Sequence, residues 1–191
     1  MDNYRAAIAE VLFDESRIAQ AVEEMAGAIA LEFSGKPLLV VGVLKGALFI
    51  FADLVRAIAR QPDGPSALST DTMWASSYGE STRSSGEVHL RKDISVPILG
   101  RHLLLVDDIV DNGRTMQYLR ELLAQRGPAS IRCAALLEKP ERRLVDVPLD
   151  YVGLRCPNEF VVGYGLDYRE LYRNLPYIAR LKPESFAPEH Q

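Results

Sequence analysis

Leu103-Leu104-Leu105-Val106-Asp107-Asp108-Ile109-Val110-Asp111-Asn112-Gly113-Arg114-Thr115-Met116 is the stretch from which the fold can be read. Four apolar residues run into two acids, then a third acid, an Asn-Gly pair and an amphipathic segment. A strand that is apolar at every position is buried on both faces, as in a parallel sheet. Residues 115–126 have helical spacing, with Met116, Leu119, Leu122 and Leu123 on one side, and Gly127-Pro128 stops them. The stretch therefore predicts a strand, a turn over 107–113 and a helix.

The same alternation continues outward in both directions. Residues 38–43 (LLVVGV) form a second buried strand, Lys45-Gly46 a turn and 47–59 a helix. Upstream, Asp14 caps a helix that carries Ile18, Val22, Met25, Ala26 and Ile29 on one face, and Gly35-Lys36-Pro37 ends it. Residues 61–66, with two prolines and a glycine, are a loop, and 70–75 a strand. The segment 76–87 (SSYGESTRSSGE) is a long polar loop, either a lid or an inert tip. Residues 131–137 form a third buried strand, 151–154 and 160–162 two short ones, and 175–181 a last one. The implied class is α/β: a mostly parallel sheet covered by helices on both faces. Ligands of such sheets bind beyond the carboxyl ends of the strands. Leu44-Lys45-Gly46 and residues 107–115 are placed there.

Composition bounds the possible functions. The chain has 191 residues, 48% hydrophobic and 25% charged, which is ordinary for one globular domain. Its net charge of -4 argues against a protein that coats nucleic acid. Cys133 and Cys156 match no zinc spacing and read as buried thiols. The opening residues carry four acids and no long apolar core, so no secretion signal is read there. The longest apolar stretch, 47–55, is interrupted by Asp53 and too short to cross a bilayer. A cytoplasmic location is expected.

The chemistry of residues 107–115 is that of an anion site. A helix start offers free N–H groups and a partial positive charge. Gly113 permits backbone conformations closed to other residues and lets a phosphate approach, while Thr115 adds a hydroxyl. Asp107 and Asp108 would repel a bare phosphate, but suit hydroxyl groups or a divalent cation beside it. The plainer alternative is a turn with capping acids. Competing phosphate motifs are absent: there is no P-loop, and Gly163-Tyr164-Gly165 lacks the third glycine of a dinucleotide fingerprint. His89, His102 and His190 are scattered and read as surface residues.

Val106 to Thr115 closely resembles the phosphoribosyl-pyrophosphate (PRPP) motif of the type I phosphoribosyltransferases. Three further segments resemble the 6-oxopurine branch of that family. Val43-Leu44-Lys45-Gly46-Ala47, followed by Phe51-Ala52-Asp53-Leu54, is similar to its pyrophosphate loop and helix. Ser76-Ser77-Tyr78-Gly79, with Ser84-Ser85-Gly86, is similar to its lid. Phe160-Val161-Val162-Gly163-Tyr164-Gly165-Leu166-Asp167-Tyr168, with Tyr172-Arg173-Asn174-Leu175-Pro176-Tyr177, is similar to its purine-binding segment. The motifs keep the family's order over residues 12–181.

The resemblance implies transfer of a phosphoribosyl group from PRPP to N9 of hypoxanthine or guanine, giving IMP or GMP and pyrophosphate, with Mg²⁺ as cofactor. Asp111, Asn112, Gly113, Arg114 and Thr115 would cradle the 5′-phosphate, with Ile109 and Val110 in the same motif. Asp107 and Asp108 would hold the ribose hydroxyls and touch Mg²⁺; Asp167 would bind a second Mg²⁺, mainly through water. Asp111 would be the general base facing purine N7. Lys139 would donate to the 6-oxo group and so reject adenine, Phe160 would stack on the base, and the Val161 backbone would read its edge. Lys45, Gly46 and Arg173 would take pyrophosphate, with a cis peptide between Leu44 and Lys45. Ser77 and Tyr78 would belong to the lid.

Three departures from the family pattern stand out: Asn112 in place of Thr or Ser, Pro140 after Lys139, and Cys156-Pro157-Asn158. Two rivals are weighed. One is a xanthine-, adenine- or orotate-using enzyme of the same fold. Lys139 and the Phe160 segment argue against adenine and orotate and leave xanthine open. The other is a PRPP-fold regulator that binds nucleic acid, against which Asp111 and the acidic net charge argue. The expected architecture is a single domain: a five-stranded parallel core (about 37–155), a small hood from the N-terminal segment and about 156–182, and a tail at 183–191. A homodimer or homotetramer is expected, with neither nucleic acid nor membrane as a partner.

Overall fold

Residues 4–76 and 88–185 are described by a computed structural model. In chain order the elements are β1 (Ile8–Phe13), α1 (Glu15–Glu32), β2 (Pro37–Leu44), α2 (Leu48–Arg60), β3 (Ala67–Ser76), β4 (His89–Lys92), β5 (His102–Val110), α3 (Arg114–Ala124), β6 (Ser130–Glu138), β7 (Tyr151–Arg155), β8 (Val161–Val162) and β9 (Ile178–Leu181). Short 3-10 turns lie at Tyr4–Ala7, Pro140–Arg142 and Pro183–Ser185.

Six strands form one sheet in the order β4-β3-β2-β5-β6-β7. The pairs from β3 to β7 are parallel, and β4 adds an antiparallel edge to the expected five-stranded core. Alternation along the central strands decides which helix covers which face. Leu38, Val40, Leu104 and Val106 pack with Ile18, Val22, Met25 and Ile29 of α1 and Leu54 and Ile58 of α2. Leu39, Val41, Leu103 and Leu105 point the other way and pack with Met116, Leu119 and Leu123 of α3. The uniformly apolar strands read from sequence are thus buried on both sides.

Asp14 caps α1, its carboxylate accepting from Arg17 N at 2.8 Å. Such a cap is worth roughly 0.5–2 kcal/mol. A second sheet, ordered β1-β9-β8, joins the N-terminal segment to the chain after Cys156. Several strands differ from the sequence reading: β1 and β4 are not expected from it, residue 160 lies outside β8, and residues 175–177 lie outside β9.

The most consequential difference lies at the acids. The expected turn over 107–113 is shorter, because β5 runs on through Val110. Its pairing with β2 stops at Gly42 and Val106, but its pairing with β6 continues to Val110 and Glu138. Backbone bonds to β6 keep Asp107 and Asp108 in extended chain, while β2 has already turned away. A cleft opens between the diverging ends of β2 and β5. That is also where the sheet order reverses, since the chain adds β3 on one side of β2 and β5 on the other.

Candidate active site

The cleft at the ends of β2 and β5 has a volume of about 520 Å³. Lys45, Gly46, every residue from Asp107 to Thr115, and Arg173 line it. Gly113 caps α3 with φ 86°, and a Cβ there would stand 2.9 Å from Val145 Cγ2. The first intrahelical bond runs from Gln117 N to Gly113 O at 3.0 Å, so the amides before it have no acceptor inside the helix. Asn112 uses its side-chain oxygen to accept from Arg114 N at 3.0 Å, leaving its amide nitrogen for other work. Its backbone oxygen accepts from Leu144 N and Val145 N at 3.1 and 3.3 Å, which braces the loop against the strap after β6.

Across the cleft the Leu44–Lys45 peptide is cis. Gly46 is pressed against Asp108: a Cβ there would lie 1.9 Å from Asp108 Oδ2. Lys45 Nζ pairs with Glu170 at 3.0 Å, which holds that carboxyl below the usual glutamate range, and lies 5.6 Å from the Trp74 ring centre. Arg173 donates to Gly165 O at 2.7 Å and pairs with Asp167 at 2.6 Å and Glu170 at 3.4 Å.

A second pocket of about 360 Å³ adjoins the first through Asp108, Ile109, Asp111 and Arg142, which line both. Lys139, Phe160, Val161 and Asp167 line its remainder, with Asn158, Glu159 and Leu166. Lys139 is buried, with one Nζ proton donated to Glu159 O at 2.6 Å. Phe160 meets Tyr168 edge-to-face at 5.7 Å and keeps 41% of its surface exposed at the pocket wall. Asp111 Oδ1 lies 2.7 Å from Arg142 Nε but makes no hydrogen bond, so this is a charge contact only.

Asp107 is buried beside Asp108, and desolvation together with the neighbouring carboxylate pushes it well above the usual aspartate range. Burial raises Asp108 too, opposed by hydrogen bonds it accepts and by Arg173. Adjacent carboxylates raised in this way suit a hard cation or hydroxyl donors. Among the described residues no group of three or more His, Cys, Asp or Glu could hold a metal alone. The pair Asp107 and Asp108 is a donor set that could hold Mg²⁺, which is commonly bound by one or two carboxylates plus substrate phosphates and water. Asp167 fits less directly, because its oxygens already serve Arg173 and Glu170 N.

The two pockets bring together every site residue expected from the sequence except Ser77 and Tyr78, which lie outside the described residues. Sequence reasoning missed Arg142, Glu159 and Glu170. None sits in a recognisable motif, and each enters the site only through the path of its loop. A larger groove of about 870 Å³ beside residues 143–149 and β7 contains none of the expected residues.

Comparison with known proteins follows the same lines. Residues 9–169 match the model of the phosphoribosyl transferase domain. A hypoxanthine-guanine phosphoribosyltransferase of Lactococcus lactis is 46% identical over 96% of this chain and 97% of its own. One from Staphylococcus aureus is 44% identical over 93% and 96%. A solved hypoxanthine phosphoribosyltransferase of Staphylococcus aureus superposes with a TM-score of 0.87 at 42% identity, covering 98% of this chain and all of that one. The chain belongs to the phosphoribosyltransferase family, in the branch whose named members are hypoxanthine-guanine phosphoribosyltransferases.

Proposed function

We infer that the protein is a purine salvage enzyme that transfers the 5-phosphoribosyl group of PRPP to N9 of hypoxanthine or guanine, releasing pyrophosphate and IMP or GMP. The observation that carries this reading is the junction of the two pockets at Asp111. An anion loop on one side and a base pocket with a buried cationic donor on the other meet at one carboxylate.

The amides at the start of α3 and the Thr115 hydroxyl hold the 5′-phosphate. Asp107 and Asp108 orient the ribose through its hydroxyls. Phe160 and the Val161 backbone fix the purine plane, and Lys139 donates a second Nζ proton to the 6-oxo group. Asp111 faces N7 and shares its proton as the N9–C1′ bond forms and the bond to pyrophosphate breaks. Lys45 and Arg173 receive the pyrophosphate charge. Asp107 and Asp108 would hold one Mg²⁺ and Asp167 a second, and the metal would supply positive charge to the pyrophosphate oxygens. The reading extends to a homodimer or homotetramer at work in the cytoplasm. Leu48 and Phe49, apolar and open on the first turn of α2, are surface that a second copy would cover.

The test is pyrophosphate release from PRPP and Mg²⁺ with hypoxanthine, guanine, xanthine, adenine and orotate offered separately. Turnover with hypoxanthine and guanine and little with adenine or orotate is the expected result. No turnover with any base overturns the reading.

A further inference from the structure

Glu170 stands between the two cations to which the pyrophosphate role falls. Its Oε2 lies 3.0 Å from Lys45 Nζ and its Oε1 3.4 Å from Arg173 Nη2. Lys45 follows β2 and Arg173 belongs to the segment between β8 and β9, so this single carboxylate ties the two walls of the cleft together. The backbone beneath it breaks a local rule. Tyr168 and Leu171 exchange both backbone hydrogen bonds, at 3.2 and 3.0 Å, around a two-residue turn. Its central residues, Arg169 and Glu170, have φ 52° and 63°, the left-handed pair that Asn and Gly ordinarily fill. Charged residues held there mark a position kept for the side chain rather than for the turn.

We propose that Glu170 is a positioning residue for the pyrophosphate half of the reaction: its carboxylate stands in for pyrophosphate between Lys45 and Arg173, and yields to PRPP. This rests on the reading that Lys45 and Arg173 take pyrophosphate. The pairing suits an occupant that must leave. Lys45 and Glu170 are 49% and 63% exposed in their side chains, so water screens the pair and it exchanges easily. Arg173 stays anchored by Gly165 O and Asp167 when Glu170 lets go. Pyrophosphate brings more charge and more acceptor oxygens than one carboxylate, and so displaces it. When pyrophosphate departs, Glu170 recaptures the cations, which weakens rebinding of the product.

The test is calorimetric titration of inorganic pyrophosphate with Mg²⁺ into wild type, Glu170→Gln and Glu170→Gly, with steady-state kinetics in PRPP. Glu170→Gln keeps the side-chain shape, and Glu170→Gly also relieves the turn. Both should bind pyrophosphate about two- to fivefold more tightly, the size an exposed ion pair supports. KM for PRPP should fall while kcat does not rise. The gap should narrow as salt is raised, and it should largely vanish in a Lys45→Met background. Unchanged or weaker pyrophosphate binding by Glu170→Gln overturns the proposal, as does tightening by Glu170→Gly alone, which would assign the effect to the turn. If Lys45→Met by itself leaves pyrophosphate binding unchanged, the role given to Lys45 fails first, and with it the proposal.

Discussion

Lys139→Met separates the base pocket from the rest of the site. Lys139 is buried at the end of β6, and its ammonium has three protons. Glu159 O takes one at 2.6 Å, so the donor is already aimed before any purine arrives. Methionine matches the length and removes the donors. A net hydrogen bond involving a charged group is worth about 1.5–3 kcal/mol. At 1.36 kcal/mol per decade, kcat/KM for hypoxanthine should drop roughly 10- to 150-fold. Adenine presents a donor at the same position, so its rate should not fall, and the hypoxanthine-to-adenine ratio should shrink by at least that factor. Stability is a separate readout. The variant loses the bond to Glu159 O but no longer buries a cation, so its melting temperature should stay close to that of wild type. The assay is initial-rate kinetics with each base at saturating PRPP, on protein shown to be folded by circular dichroism. A folded Lys139→Met enzyme within threefold of wild type on hypoxanthine, or with an unchanged base ratio, would refute the assignment.

Asp111→Asn keeps the shape of the carboxylate but cannot take a proton. Turnover should fall by about 10²–10⁴-fold with little change in melting temperature, and a folded variant within threefold of wild type removes Asp111 from the base role. Glu32 accepts from Tyr151 and from Arg132 (2.6 Å), and these bonds hold its carboxyl below the usual glutamate range. A lowered folded value stabilises the protein above the unfolded pKa of roughly 4.3, and that contribution is lost as pH falls through the folded value. Glu32→Gln should therefore cost about 1 kcal/mol near neutrality, allowing for the exposure of the pair, and converge with wild type in acid, as melting curves across pH would show. Burial, with Asp150 nearby, pushes the Cys133 thiol up to about 12. Native protein should leave Cys133 unalkylated by iodoacetamide at mildly alkaline pH, with labelling only after denaturation, as read by peptide mass spectrometry.

What the sequence disclosed and what it hid divide along the range of the interactions concerned. Uniformly apolar runs such as 103–106, the Asp14 cap and the Asn-Gly pair before α3 are local signals, and the structure keeps all of them. β1 had no such signal. Its residues, IAEVLF, do not alternate cleanly, its register slips twice, and its partner β9 comes from the far end of the chain. The end of β5 was hidden for a related reason. Asp107 and Asp108 look like turn residues, and only the unequal reach of β2 and β6 beside them keeps them extended. Arg142 reaches Asp111 because the strap after β6 is bound back to Asn112 O through Leu144 and Val145. That path is a tertiary fact with no short motif to announce it. The same holds for Glu170, whose place over Lys45 depends on a close approach between distant glycines. A Cβ on Gly165 would stand 2.0 Å from Gly46 O, so only a residue without a Cβ at 165 lets that segment come down onto the Lys45 loop. The motif residues thus specify which chemistry is available. The residues between motifs set how far apart the charged groups stand when no substrate separates them, and Glu170 is where that second kind of information is most concentrated.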